Sequence, residues 1–263
     1  ANFDLDGTAQ SLKFVMPLLP RDVVSMVRIP NGITFKGNVR VDGNQYGSKF
    51  VATQGGGTLR GDVNVDVQRM VYRAKLSANR LPLHHFLPRM GLRPFTGTAD
   101  ITGEGTDMMS PRTRLNATVK MQRFGYDKYD LSGITLTARV GNGRITARAD
   151  SKNELLKGLL TVDALTTGRI FKGTFGCDLE KADLQKLGFL DQPLAVSLCG
   201  HVDVTSDFKQ YYKVQGLFSD MTAWRNKRSL RPENIVFDVL TTADTTHVVA
   251  DCADFHLKME GEG

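Results

Sequence analysis

Leu59-Arg60-Gly61-Asp62-Val63-Asn64-Val65-Asp66-Val67 puts Leu59, Gly61, Val63, Val65 and Val67 on one parity and Arg60, Asp62, Asn64 and Asp66 on the other. Successive side chains of a strand point to opposite faces, so this stretch describes a β-strand with one buried and one wet face. Its centre recurs along the chain. Gly37-Asn38-Val39-Arg40-Val41-Asp42, Gly97-Thr98-Ala99-Asp100-Ile101-Thr102 and Gly200-His201-Val202-Asp203-Val204-Thr205 are close copies. Gly133-Ile134-Thr135-Leu136-Thr137-Ala138 and Gly158-Leu159-Leu160-Thr161-Val162-Asp163 are looser ones. Reuse of one strand unit predicts an elongated, repetitive β-structure whose units pack on their neighbours, and directs the search for function to a long surface rather than a pocket.

The same alternation fills the rest of the chain, in Met70, Tyr72, Ala74 and Leu76, in Leu115, Ala117, Val119 and Met121, and in Leu194, Val196, Leu198, Gly200, Val202 and Val204. Gly141-Asn142-Gly143 joins two alternating runs as a tight hairpin does, and antiparallel meandering pairs follow. Three stretches break the rhythm: Pro20 to Val27, Leu81 to Pro88, and Lys181 to Leu187. Their apolar residues recur at three- and four-residue spacing, which predicts short helices that cap the end of a sheet. The expected fold class is therefore all-β, a single elongated β-repeat segment with approximate sub-units 1–80, 81–180 and 181–263 and a few short helices. A sandwich, a closed barrel or a sheet folded lengthwise into a groove would each cover the continuous apolar face, and periodicity does not choose among them. Glycines on the apolar parity, among them Gly37, Gly61, Gly158, Gly173, Gly200 and Gly216, predict strong local bending or close approach of another backbone.

A chain of 263 residues with 41% hydrophobic content can build a real core. The net charge of +6 and pI near 9.2 permit contact with anionic surfaces. Arg112, Arg114, Lys120, Arg139 and Arg148 are spread along the polar parity without a dense block, which reads as a solvated face and not as a nucleic-acid footprint. Cys177, Cys199 and Cys252 are too widely spaced for a zinc cluster or a disulfide framework, and Cys177 shares the apolar parity of Phe175 and Leu179. No apolar run is long enough to span a membrane. The strand-like phrase at the very start reads as the edge of an excised piece, with anchors and targeting signals elsewhere.

Phe3-Asp4-Leu5-Asp6-Gly7-Thr8 matches the nucleophile phrase of haloacid-dehalogenase-type phosphatases, in which the paired aspartates attack phosphate and hold Mg²⁺. That chemistry needs a preceding buried strand and a parallel α/β sheet, neither of which the pattern offers, so the expected alternative is a strand ending in a Gly-Thr turn. His84 and His85 are adjacent, about 100° apart on a helix, and read as packing residues. His201, His247 and His256 lack metal-ligand spacing. Gly55-Gly56-Gly57 lacks the Lys-Ser/Thr of a phosphate loop and reads as a hairpin turn. Asn116-Ala117-Thr118 is a sequon inside a strand. Neither catalytic residues, cofactor nor metal is expected.

Leu83-His84-His85-Phe86-Leu87 leading to Phe95-Thr96-Gly97-Thr98-Ala99-Asp100-Ile101-Thr102-Gly103-Glu104-Gly105-Thr106-Asp107 resembles the AsmA-like and TamB (translocation and assembly module) proteins of Gram-negative envelopes. So do Leu115-Asn116-Ala117-Thr118-Val119, the run from Tyr126 to Ile134, and the glycine phrase that returns after Asp183-Leu184-Gln185-Lys186-Leu187. The resemblance covers most of residues 30 to 220 and is one of order and style. It implies a sheet folded lengthwise into a hydrophobic, taco-like groove, held to the inner membrane by a region outside this chain and reaching across the periplasm. It also implies phospholipid transport to the outer membrane, or outer-membrane protein assembly, with an outer-membrane barrel partner like TamA. In such a groove Val65, Leu76, Ile101, Val119, Leu136, Leu160 and Val202, mid-strand on the apolar parity, are expected to contact acyl chains. The rival expectation is a structural or adhesive β-repeat with a closed core.

Overall fold

Alternating side chains give each segment a face to bury, and short glycine-rich turns return the chain beside itself, so the product is an antiparallel meander. The computed structural model describes residues 1–9, 28, 30–107, 110–165, 170–226, 228–253 and 255–262, and it divides into two compact units. The first comprises Ala1–Thr106 and Leu115–Thr135, the second Asp107–Arg114 and Leu136–Gly263.

In the first unit β1 (Asn2–Ala9), β2 (Ile33–Asp42), β3 (Gln45–Gln54), β4 (Gly57–Asp66), β5 (Val71–Leu81) and β6 (Phe95–Glu104) pair antiparallel, each with the next. β7 (Arg114–Arg123) follows β6, and β8 (Gly125–Tyr126) with β9 (Tyr129–Asp130) forms a small separate hairpin. The second unit contains most of β10 (Ile134–Gly141), with β11 (Arg144–Lys152), β12 (Leu156–Leu165), β13 (Phe171–Asp183), β14 (Ala195–Ser206) and β15 (Tyr212–Arg225). β15 pairs with both β16 (Arg228–Leu230) and β17 (Ile235–Thr241), and β18 (Thr245–Cys252) and β19 (Phe255–Glu262) complete it. The all-β antiparallel expectation holds, and every close copy of the glycine phrase lies inside a strand, in β2, β4, β6 and β14.

Both predicted glycine hairpins form. Asn142 and Gly143 sit at φ +53° and +68° between β10 and β11, and Gly55 and Gly56 at φ +56° and +80° between β3 and β4, the left-handed pairs that a two-residue hairpin requires. The helix expected in Leu81–Pro88 is the single turn α1 (Leu83–Phe86). His85 lies against the Gly55 turn and its Nδ1 is 2.8 Å from Oε1 of Gln54, so this histidine packs against a sheet end. The stretch Pro20–Val27 lies outside the described residues.

Two expectations need correction. Lys181–Leu187 is not a helix: Lys181, Ala182 and Asp183 belong to β13, where Ala182 pairs with Leu156 on one side and Val196 on the other. Only a turn follows, closed by the Leu187 amide donating to the Asp183 carbonyl at 2.9 Å. Ladder bonds on both flanks outweigh the local three- and four-residue spacing. The Asp4-Leu5-Asp6-Gly7-Thr8 phrase does not end in a turn either, because Gly7 and Thr8 pair with Phe35 and Thr34 and the strand runs on to Ala9.

Several strands of the second unit are bent at one level. β13 carries an extra residue between Leu179 and Ala182 against both β12 and β14, and β15 carries one between Ser219 and Thr222 against β14, with Gly158 of β12 at φ +137° and Asp220 of β15 at φ +52°. A bulge bends its strand and tightens the twist, so two bulges at one level, flanking β14, crease this part of the sheet. In the first unit one such shift, between Ala78 and Leu81, has the Arg80 amide donating to Oγ1 of Thr96 at 2.9 Å, which satisfies the group that the bulge frees.

The hairpin geometry makes a direct prediction. Gly143→Val places a β-branched side chain at φ +68° and is expected to destabilise the fold by about 1–2 kcal/mol in urea unfolding. An unchanged midpoint would show that this turn does not set the β10–β11 pairing.

Candidate functional site: the apolar sheet faces

Cross-strand register, which sequence alone does not give, assembles the apolar parity into continuous ladders. In the first unit one ladder runs Gly37, Phe50, Gly61, Leu76, Ala99. A second runs Phe3, Val39, Ser48, Val63, Ala74, Ile101, and a third Val41, Tyr46, Val65, Tyr72, Gly103. Leu76, Ile101 and Val65 thus lie on one face of three adjacent strands, in neighbouring ladders. In the second unit Ala147, Val162, Phe175, Val202, Gly216, Phe237, Ala250 and Leu257 form one ladder, and Ala149, Leu160, Cys177, Gly200, Phe218 and Ile235 the next. Leu160 and Val202 share that face. Val119 lies in β7 and Leu136 in β10.

Strands keep such a face dry only if something covers it. All seven candidate residues are half-buried. Among the described residues the buried hydrophobic ones are Ile33, Ala78, Val140, Ala164 and Ala182, three of them alanines. Phe175, Leu257 and Met259, on the second unit's apolar ladders, are 39%, 42% and 56% exposed. A closed core of this length would bury its large side chains and leave the small ones to chance. Here the large ones stay open.

The opposite faces are polar and largely satisfied. In the first unit Asp4, Asn38, Lys49, Asp62, Lys75 and Asp100 lie opposite one another across six strands, with Lys49–Asp62 at 3.6 Å and Lys75–Asp100 at 3.9 Å. Asp6 pairs with Lys36 at 3.3 Å and is exposed. Shallow depressions of about 510 and 570 Å³ lie on the polar faces, the first lined by Lys75, Asp100 and Lys120, the second by Arg144, Asp163, Lys172 and Asp203. Arg144 grips Asp163 through two nitrogens, and this contact holds the Asp163 carboxyl below its ordinary range. Burial, then the hydrogen bond and charge of Asp178, pushes the Cys199 thiol up, and burial raises the Cys177 thiol, so neither is an activated nucleophile. Among the described residues no group of three His, Cys, Asp or Glu side chains is placed to hold a metal ion.

Comparison of the chain with protein-family models, with curated proteins and with solved structures gives no match. The functional reading therefore stands on the ladders themselves.

Two outcomes follow from this geometry. Ile101→Asp puts a carboxylate on a half-open face, so the domain is expected to stay folded at a cost of about 1–2 kcal/mol, whereas the same charge in a sealed core costs several. Loss of cooperative unfolding in that variant would mean the face is closed. The Arg144 contact holds the Asp163 carboxyl below its ordinary value of 3.8 in the folded chain, so its contribution is present above that pH and is lost as pH falls through the folded value. Wild type and Asp163→Asn are expected to differ in stability at neutral pH and to converge under strong acid. A difference that persists in acid would assign the effect to something other than the Arg144 contact.

Proposed function

We propose that this chain is a non-enzymatic segment of a Gram-negative envelope protein whose apolar sheet faces carry phospholipid acyl chains. The observation behind this reading is the set of cross-strand ladders in which half-exposed Val, Leu, Ile and aromatic side chains alternate with glycine and small residues from strand to strand. Contiguous apolar surface of that kind is rare on soluble proteins unless it binds something. The bulges at one level on β13 and β15 support a creased sheet, and the resemblance to AsmA-like and TamB proteins supports the same architecture.

On this reading the segment works in the periplasm, anchored to the inner membrane through a region outside the chain. It passes lipid toward the outer membrane, or assists outer-membrane protein assembly, with a TamA-like barrel as partner of the whole protein. The polar ladders face water and the apolar ones face hydrocarbon. Chemistry is not required of it: an acyl chain on such a face is held by burial at about 25 cal/mol per Å² and released by exchange onto the next ladder.

Native mass spectrometry of the purified chain, followed by lipid extraction, tests the reading. Co-purifying phospholipid at near-stoichiometric occupancy, displaced by detergent, is expected. A lipid-free chain that remains lipid-free after incubation with phosphatidylethanolamine and phosphatidylglycerol vesicles would leave a structural or adhesive β-module as the account.

A further inference from the structure

Glycines on the apolar parity, among them Gly61, Gly97 and Gly200 of the repeated phrase, do more than bend strands. A Cβ placed on Gly61 would lie 2.5 Å from Cε1 of Phe50, the residue opposite it on β3. One on Gly103 would lie 2.5 Å from Cζ of Tyr72, opposite it on β5. Gly216 stands in the same relation to Phe237, with Cε1 at 2.5 Å, and Gly200 to Phe218, with Cε1 at 2.9 Å. Within single strands, the Phe95 and Phe171 rings reach to 2.6 and 2.8 Å of the Cβ positions of Gly97 and Gly173. Each of the six rings therefore leans over a missing side chain on the apolar face of its own unit, three in each, and all six remain half exposed.

We propose that within each unit these glycine-parked rings form the floor of its lipid-bearing face, and that the glycines set the height of that floor by letting the rings lie down. This rests on the acyl-chain reading and deepens it by naming the residues that shape the surface. A ring lying over a glycine rises above the backbone by about one van der Waals contact, 3.5–4 Å, and turns a π-face outward to methylene groups. The same ring forced upright stands as an obstacle across the ladder. Neighbouring rings extend the floor: Phe35 and Phe50 stack at 5.4 Å and 23°, Phe218 and Phe237 at 5.5 Å and 26°. The ligand such a floor fits is a slender, flexible hydrocarbon chain lying across the strands, held by contact area rather than by polar groups.

Gly61 and Gly103 give the cleanest test, because the three atoms nearest to each added Cβ belong to side chains and none to backbone. Lipid occupancy would be read by native mass spectrometry after incubating each variant with vesicles of phosphatidylethanolamine and phosphatidylglycerol. Gly61→Ala and Gly103→Ala are expected to fold, as judged by circular dichroism, and to lose most of the lipid that the wild type holds. The double variants Gly61→Ala/Phe50→Ala and Gly103→Ala/Tyr72→Ala, with no ring left to raise, are expected to recover it. Should a single variant fail to fold, a double variant that folds and holds lipid still supports the proposal, and one that folds without lipid overturns it. Single variants that hold lipid at the wild-type level also overturn it while leaving the acyl-chain reading intact. A wild type that takes up no lipid removes that reading and this inference together.

Discussion

An apolar face that its own strand neighbours cannot cover is the constraint on which this protein depends. In a strand every second side chain goes to the same side, so a chain built from alternating segments accumulates apolar surface with each strand it adds. Two-layer folds bury that surface against a second sheet or a helix layer. Here the described helix is one turn at a sheet end, and the buried hydrophobic side chains are few and mostly small. The sheets are held instead by their ladders, by stacked rings such as Phe218 on Phe237, and by charge pairs on the wet side.

Glycine makes that arrangement workable in two ways. At Gly37, Gly97 and Gly158 an added side chain would run into a neighbouring backbone carbonyl, of Lys49, Lys120 and Asp178 in turn, so at these positions glycine lets the adjacent strand's backbone approach closely. At Gly61, Gly103, Gly200 and Gly216 the absent side chain is replaced by an aromatic ring from the opposite strand, which restores packing over a residue that otherwise weakens a strand. A single residue type thus supplies both close backbone approach and a smooth apolar surface. Gly37, Gly61, Gly97, Gly158 and Gly200 come from copies of the repeated phrase, while Gly103 and Gly216 lie outside it.

Much of this was legible in the residues. The alternation in Leu59–Val67 and the Gly141-Asn142-Gly143 turn specify strand and hairpin locally, because both signals act over a few residues. Parity also placed Val65, Leu76, Ile101, Leu160 and Val202 on apolar ladders. What sequence did not show was register: that Phe50 faces Gly61, or Phe237 faces Gly216, depends on where hairpins and bulges set one strand against the next. The Lys181–Leu187 misreading has the same origin. Its helical spacing is real, yet Leu156 and Val196 hold Ala182 in a strand through contacts distant in sequence. The Asp4-Leu5-Asp6-Gly7-Thr8 phrase shows the converse, a catalytic-looking motif drawn out straight by pairing with β2.

Site-specific photo-crosslinking tests the central claim most directly, because it asks each face separately. A photoreactive residue at Leu76, Ile101 or Val202 is expected to capture labelled phospholipid, while one at Asn64 or Asp100, on the opposite face, captures none. Equal capture from both faces, or none from either, would contradict the account of an open apolar surface built to hold acyl chains.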